Sequence, residues 1–154
     1  MANHASRALL CSGLAVFLAI RAGAESTSLD EEVIHSMTEA SDLIVLGKVI
    51  EIGQPGDGTT WINLKVKKVL KGAASDNMIA VTIPGGLVRG SDAPLTVEGQ
   101  PHFQEKELVI VFLSISGDHF EIVGAEKGKQ PGEGSDARDL QLCIKTYLSK
   151  KPFH

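Results

Sequence analysis

The sequence predicts a mainly β domain: a small Greek-key barrel of five or six strands with a short N-terminal helix and a C-terminal amphipathic helix. Three observations carry this expectation. The longest apolar run outside the N-terminus, Glu107-Leu-Val-Ile-Val-Phe-Leu-Ser-Ile115, is made of branched and aromatic residues. It is apolar on both faces, so it must be covered on both sides. Elsewhere, short alternating runs are punctuated by turn residues, and glycine is frequent, at 16 of 154 residues. Finally, each end of the domain carries one apolar stripe at helical spacing.

In chain order, Ser28-Leu-Asp-Glu31 matches a capping box, and Leu29, Val33, Met37 and Ala40 follow on one helical face, so residues 29–40 are expected to be helical. His35, Glu32 and Glu39 fall off that stripe. Residues 43–52 read as the first strand, with Gly47 at a bend or bulge. The loop Gly53-Gln-Pro-Gly-Asp-Gly58 follows. The second strand spans about residues 60–70: Ile62, Leu64 and Val66 point in, Asn63, Lys65 and Lys67 point out, and the alternation slips at Lys68-Val69-Leu70. The third strand, 78–83, places Ile79, Val81 and Ile83 on one face and is expected to stop at Pro84-Gly-Gly86. A short fourth strand is read at 94–98, the central strand at 107–115, and a sixth at 119–124 after a tight Gly117-Asp118 hairpin. Residues 128–135 read as flexible and polar. Asp136 is placed to cap a last helix whose stripe is Leu140, Cys143, Ile144, Tyr147 and Leu148. The stripe predicts packing on the barrel through Leu140, Ile144 and Leu148, with Cys143 buried. At least one terminal helix is expected over the outer face of the central strand, because these helices carry the only apolar surfaces not committed to strands.

The N-terminus reads as an export signal. Arg7 supplies the positive charge, residues 8–20 a short apolar core, and Ala22-Gly-Ala24 the small-x-small cleavage pattern. The core is shorter than the roughly 20 apolar residues of a spanning helix. Cleavage leaves one domain over residues 25–154, secreted or periplasmic, that meets the membrane only transiently through the signal. An uncleaved anchor is the alternative. A lipoprotein signal does not fit, because Cys11 sits near the start of the apolar core. Cleavage also leaves Cys143 alone, so the domain is expected to be held by its core without a disulfide.

The net charge is −4, from 15 basic and 19 acidic residues. Loss of Arg7 and Arg21 makes the mature chain more acidic still, which argues against nucleic acid as a partner.

A set of short patterns runs through the domain: Ser41-Asp-Leu-Ile-Val-Leu-Gly-Lys-Val49, Val69-Leu-Lys-Gly72, Pro84-Gly-Gly86, Gly99-Gln-Pro-His-Phe103 and a strand ending in Phe112-Leu113. Together they resemble a family of exported, mostly uncharacterised bacterial proteins. That family is similar to the OB-fold domain of netrin modules and tissue inhibitors of metalloproteinases. The resemblance spans residues 41–129 and implies an OB-like barrel. It does not imply protease inhibition: that mechanism needs a mature N-terminal Cys to chelate the protease zinc, whereas cleavage here exposes Glu25.

Candidate sites are few. His102 and His119 could serve as metal ligands or catalytic groups beside Glu105, Glu107 or Glu121, but no close ligand spacing supports this, and solvated turn histidines are the simpler reading. Cys143 could be a nucleophile or pair between chains; its place on an apolar stripe favours a core thiol. Pro84-Gly-Gly86 lacks the Lys-Ser/Thr of a phosphate loop and reads as a turn. Lys65, Lys67, Lys68 and Lys71 form a basic run, either a solvated face that protects an edge or a patch for an acidic partner. Trp61 falls on the outer face beside Asn63, where it is either a contact residue or covered by a terminal helix.

No catalytic triad, paired-carboxylate motif or cofactor loop is recognisable. The expectation is therefore an exported, non-catalytic binding or accessory module that contacts another exported protein. Its binding surface is placed at Trp61, Lys65, Lys67, Arg89 and His102, on the barrel face or the loops at 53–59 and 84–94. A small hydrolase or metal-dependent enzyme using His102, His119 and nearby acids is the alternative, and an envelope protein without a discrete ligand is a third class.

Overall fold

The computed structural model describes residues 29–151; the segment read as an export signal, Cys11 and Ser28, the expected cap, lie outside them. The elements are helix α1 (Glu31–Ala40), strands β1 (Leu43–Gly53), β2 (Asp57–Lys71), β3 (Met78–Val88), β4 (Leu108–Ser116), β5 (His119–Ile122) and β6 (Lys129–Pro131), and helix α2 (Ser135–Lys150). A single 3-10 turn over Ala125–Gly128 joins β5 to β6. The fold is mainly β, as the alternating runs predict.

The strands run β1-β2-β3-β5-β4, and β4 pairs back onto β1, so they form a closed ring. All pairings are antiparallel except β3 with β5, which meet in parallel at Val81 and Phe120. Val45, Val49, Ile62, Leu64, Val81, Val109, Val111 and Leu113 fill the interior and are fully buried. On the other face of β1 and β4, Ile44, Ile110 and Phe112 are equally buried, beneath Ile34 and Met37 of α1 and Ala137, Leu140 and Ile144 of α2. Both helices thus cover the outer face of the central strand.

Strand irregularities fall close to where the sequence slips. The β1–β2 register shifts at three places, leaving Ile50, Lys67 and Leu70 as the unpaired extra residues. The Leu70 shift restores an apolar residue to the helix-facing side, where Leu70 packs in the outer cluster. At the end of β2, Gly72 has φ +81, and a Cβ there would lie 2.3 Å from the Asp42 carbonyl oxygen, so the turn needs glycine.

Several expectations are corrected. β3 does not stop at Pro84 but continues to Val88. Beyond Val81 it has a strand neighbour on one side only, and such an edge tolerates proline. The short strand at 94–98 is absent; Leu95 makes one isolated bridge to Gly86 between the breakers Pro94 and Gly99. The polar segment after Gly128 is partly ordered as β6. β5 pairs with β4 only from Leu113 onward, so the same edge at Val109–Val111 would lack partners without β6. The N-cap of α1 is Asp30, and its side chain makes no capping bond. α2 begins two residues earlier than read, after Gly134 rather than under an Asp136 cap. Cys143 is half-buried rather than buried.

The C-terminus of α1 is capped from outside the helix. Its last turn carries no basic residue. Lys71, at the end of β2, instead donates to the Thr38 carbonyl at 2.7 Å and to the Ser41 carbonyl. A cation belongs at this negative end of the helix dipole. Burial, then the nearby Lys151, lower the Lys71 pKa from its ordinary value. Among the described residues no buried side-chain polar atom lacks a partner.

Ile144 is the most buried large side chain of α2. Ile144→Asp puts a carboxylate into the outer cluster and is expected to cost about 3 kcal/mol or more, measured by denaturant unfolding. An unchanged midpoint would mean that α2 does not pack on the ring.

Candidate functional site

Both helices lie over β1 and β4 and meet β2 only at its end, at Lys68, Leu70 and Lys71, so the outer face of β3 and of the earlier part of β2 is left open. Its β2 row is Trp61, Asn63 and Lys65, paired with Thr82, Ala80 and Met78 of β3. Lys65, Met78 and Ala80 are exposed, and Lys67 extends the face at its bulge.

Trp61 is neither fully exposed nor covered by a helix. It is half-buried against the neighbouring strand: its partner is Gly53, and a Cβ on Gly53 would lie 2.1 Å from the indole. The glycine therefore makes room for the ring to lie flat across β1. Asn63 beside it reaches Glu51 through a long 3.5 Å contact.

The basic run divides in two. Lys71 is committed to the α1 carbonyls, and Lys68 donates to Gln141 of α2 at 3.3 Å. Lys65 and Lys67 are exposed, and no ion pair to either is present among the described residues. Arg89 lies past the far end of this face. Its amide donates to the Gly56 carbonyl at 2.8 Å, and its side chain runs alongside Gly56. Nearby Asp57 is held below its ordinary pKa by the Thr59 hydroxyl and amide first, with a smaller contribution from Arg89. Val88 and Leu95, both exposed, flank Gly58 at this tip. Trp61, Lys65, Lys67 and Arg89 are therefore strung along one strand pair.

His102 does not join them. It lies on the rim of an open cleft of about 550 Å³ formed by Leu29, Pro101, Glu107, Glu126, Lys127, Lys129, Gln130 and Pro131. Lys129 occupies the middle of the polar contacts there. It pairs with Glu107 at 2.8 Å, donates to the His102 carbonyl and sits 5.1 Å over the Phe103 ring. The Glu107 carboxylate also accepts the Gln104 amide. The cleft is roomier than the sequence suggests, but of its two carboxylates Glu107 is already paired with Lys129. His119 lies elsewhere, opposite Ser116 at the end of β4. Lys129, which binds the His102 carbonyl, pairs with Val111, whereas His119 pairs with Ser116 five residues further along β4, and the two histidines share no contact among the described residues. His119 contacts Asp118 and Glu121, and these carboxylates, Asp118 first, raise its pKa.

A second constellation, absent from the sequence reading, lies in the seam between the helices. Glu31 and His35 of α1 meet Cys143 of α2, with one donor atom from each within 4.8 Å of the others. The His35 ring stacks on Tyr147 at 4.1 Å, and the Tyr147 hydroxyl donates to Glu39. That hydroxyl, then Lys151, hold Glu39 below the usual carboxylate range. Burial first, then the Glu31 charge, push the Cys143 thiol up. One signal was available in the sequence: Glu31 and His35 are four residues apart and share a helix face. Nothing in it pointed to Cys143 as their neighbour.

No protein-family model matches the sequence, and no curated protein matches it either.

Gly53→Ala tests the seating of the tryptophan, which is the only one in the chain. The methyl group should push the indole into solvent and shift its emission to longer wavelength. An unchanged spectrum would mean that Trp61 does not lie on Gly53.

Proposed function

We propose that the chain is an exported, non-catalytic binding module that contacts another exported protein through the outer face of β2 and β3. One observation carries this reading: the helices cover the β1–β4 side of the ring and the end of β2, and leave uncovered the outer row of Trp61, Asn63 and Lys65 on β2 with Thr82, Ala80 and Met78 on β3. That uncovered side holds a preordered tryptophan between exposed cations. Tryptophan anchors are characteristic of binding hot spots, and a ring already seated on Gly53 loses little freedom on binding. Lys65 and Lys67 on an otherwise acidic chain favour an acidic partner surface. The export pattern at the N-terminus supports a partner outside the cytoplasm.

The likeness to the OB-fold domains of netrin modules and metalloproteinase inhibitors belongs to the same proposal. A five-strand ring closed by a parallel β3–β5 contact supports it, and OB-type domains bind through their second and third strands. The separation of His102 from His119 removes the motive for pairing them in an enzyme site.

The test compares immobilised wild-type chain with Trp61→Ala and with the double variant Lys65→Glu, Lys67→Glu. Each is exposed to extracellular and envelope extract of the source cells. A protein held by the wild type should bind each variant at least about 10-fold more weakly, and its retention should fall as salt rises. Equal retention by all three would contradict the proposal.

A further inference from the structure

We infer that Glu31, His35 and Cys143 form a zinc site that pins α1 to α2. Glu31 and His35 stand one turn apart on α1, and Cys143 faces them from α2. In a tetrahedral zinc site the bonds are about 2.0–2.3 Å, which sets ligand atoms roughly 3.3–3.7 Å apart. The His35 Nε2 to Glu31 Oε1 separation is already 3.5 Å. With all three donors within 4.8 Å of one another, the remaining edges need to close by about 1.5 Å at most. Exposed Glu31 can rotate to do this.

The donor chemistry selects the metal class. One sulfur, one imidazole nitrogen and one carboxylate oxygen suit a borderline cation, whereas calcium and magnesium take oxygen ligands. The stack on Tyr147 fixes the plane of the His35 ring, as outer contacts commonly do for ligating histidines. An open cleft of about 310 Å³ borders the trio and leaves a fourth position for water or for Asp139, which lines the cleft one turn before Cys143.

Such a site joins the two ends of the domain. Closing a long loop is where a cross-link constrains the unfolded chain most in principle. Zinc would thus replace the disulfide that Cys143 does not make with any described residue. The inference does not rest on the proposed binding face.

The test uses the mature chain, stripped of metal by chelator and kept reduced. Titration with Co²⁺ should give a sulfur-to-cobalt charge-transfer band that saturates at one equivalent and is displaced by Zn²⁺. Cys143→Ser should abolish the band. Glu31→Gln, a change at an exposed position, should keep the fold and weaken Zn²⁺ binding at least about 10-fold by calorimetry. Zn²⁺ should raise the melting temperature of the wild type and not of Cys143→Ser. Absence of saturable one-to-one binding, or equal binding by the wild type and Glu31→Gln, overturns the inference. So does rapid alkylation of Cys143 by iodoacetamide that slows in His35→Gln without any zinc binding, because the trio would then be a thiol–imidazole pair.

Discussion

Val109, Val111 and Leu113 of β4 point into the ring, Ile110 and Phe112 point away from it, and all five are fully buried. Each such side chain contributes about 1.5–3 kcal/mol when taken from water. The strand keeps that contribution only if both of its faces are covered. The ring covers one, and α1 and α2 together cover the other. The placement of the helices follows from this, and so do their length and stripe. α1 presents Ile34 and Met37, and α2 presents Ala137, Leu140 and Ile144 one turn after another. The closing contacts are polar: Lys71 binds the carbonyls that end α1, and Glu39 receives Tyr147 of α2 and Lys151 just past its end.

What is left uncovered is set by the same arrangement. The two helices cover β1 and β4 and touch only the end of β2, at Lys68, Leu70 and Lys71, so the outer row of Trp61, Asn63 and Lys65 with Thr82, Ala80 and Met78 lies beyond them. The helices also meet each other, and their seam brings together groups that no strand could assemble. The bare sheet face and the helix seam are thus both by-products of covering one strand.

Much of this was legible in the sequence because it rests on local period. Alternation in 62–66 and 79–83 marks faces directly, and the stripe at 140, 144 and 148 marks a helix and its buried side. The two-sided apolarity of 107–115 forces cover from elsewhere in the chain, and the terminal helices are the available source. What the sequence left hidden depends on contacts between distant segments. Trp61 on Gly53 is a cross-strand fit, seen only once the register is known. β6 exists because β5 leaves an edge of β4 unpaired, which no property of Lys129-Gln-Pro131 announces. Pro84 reads as a stop signal, but it stands where β3 is an edge. His35 and Cys143 belong to opposite ends of the domain and meet only because both helices share one strand.

Native-state hydrogen exchange tests this dependence most directly. If the two-sided burial of β4 holds the domain together, the amides of Val109–Val111 and their neighbours to Leu113 open only with global unfolding. Their exchange free energies should then equal that of the whole domain, while β3 beyond Val81 opens at lower cost. Exchange from β4 through local openings, as fast as from the free end of β3, would contradict the account.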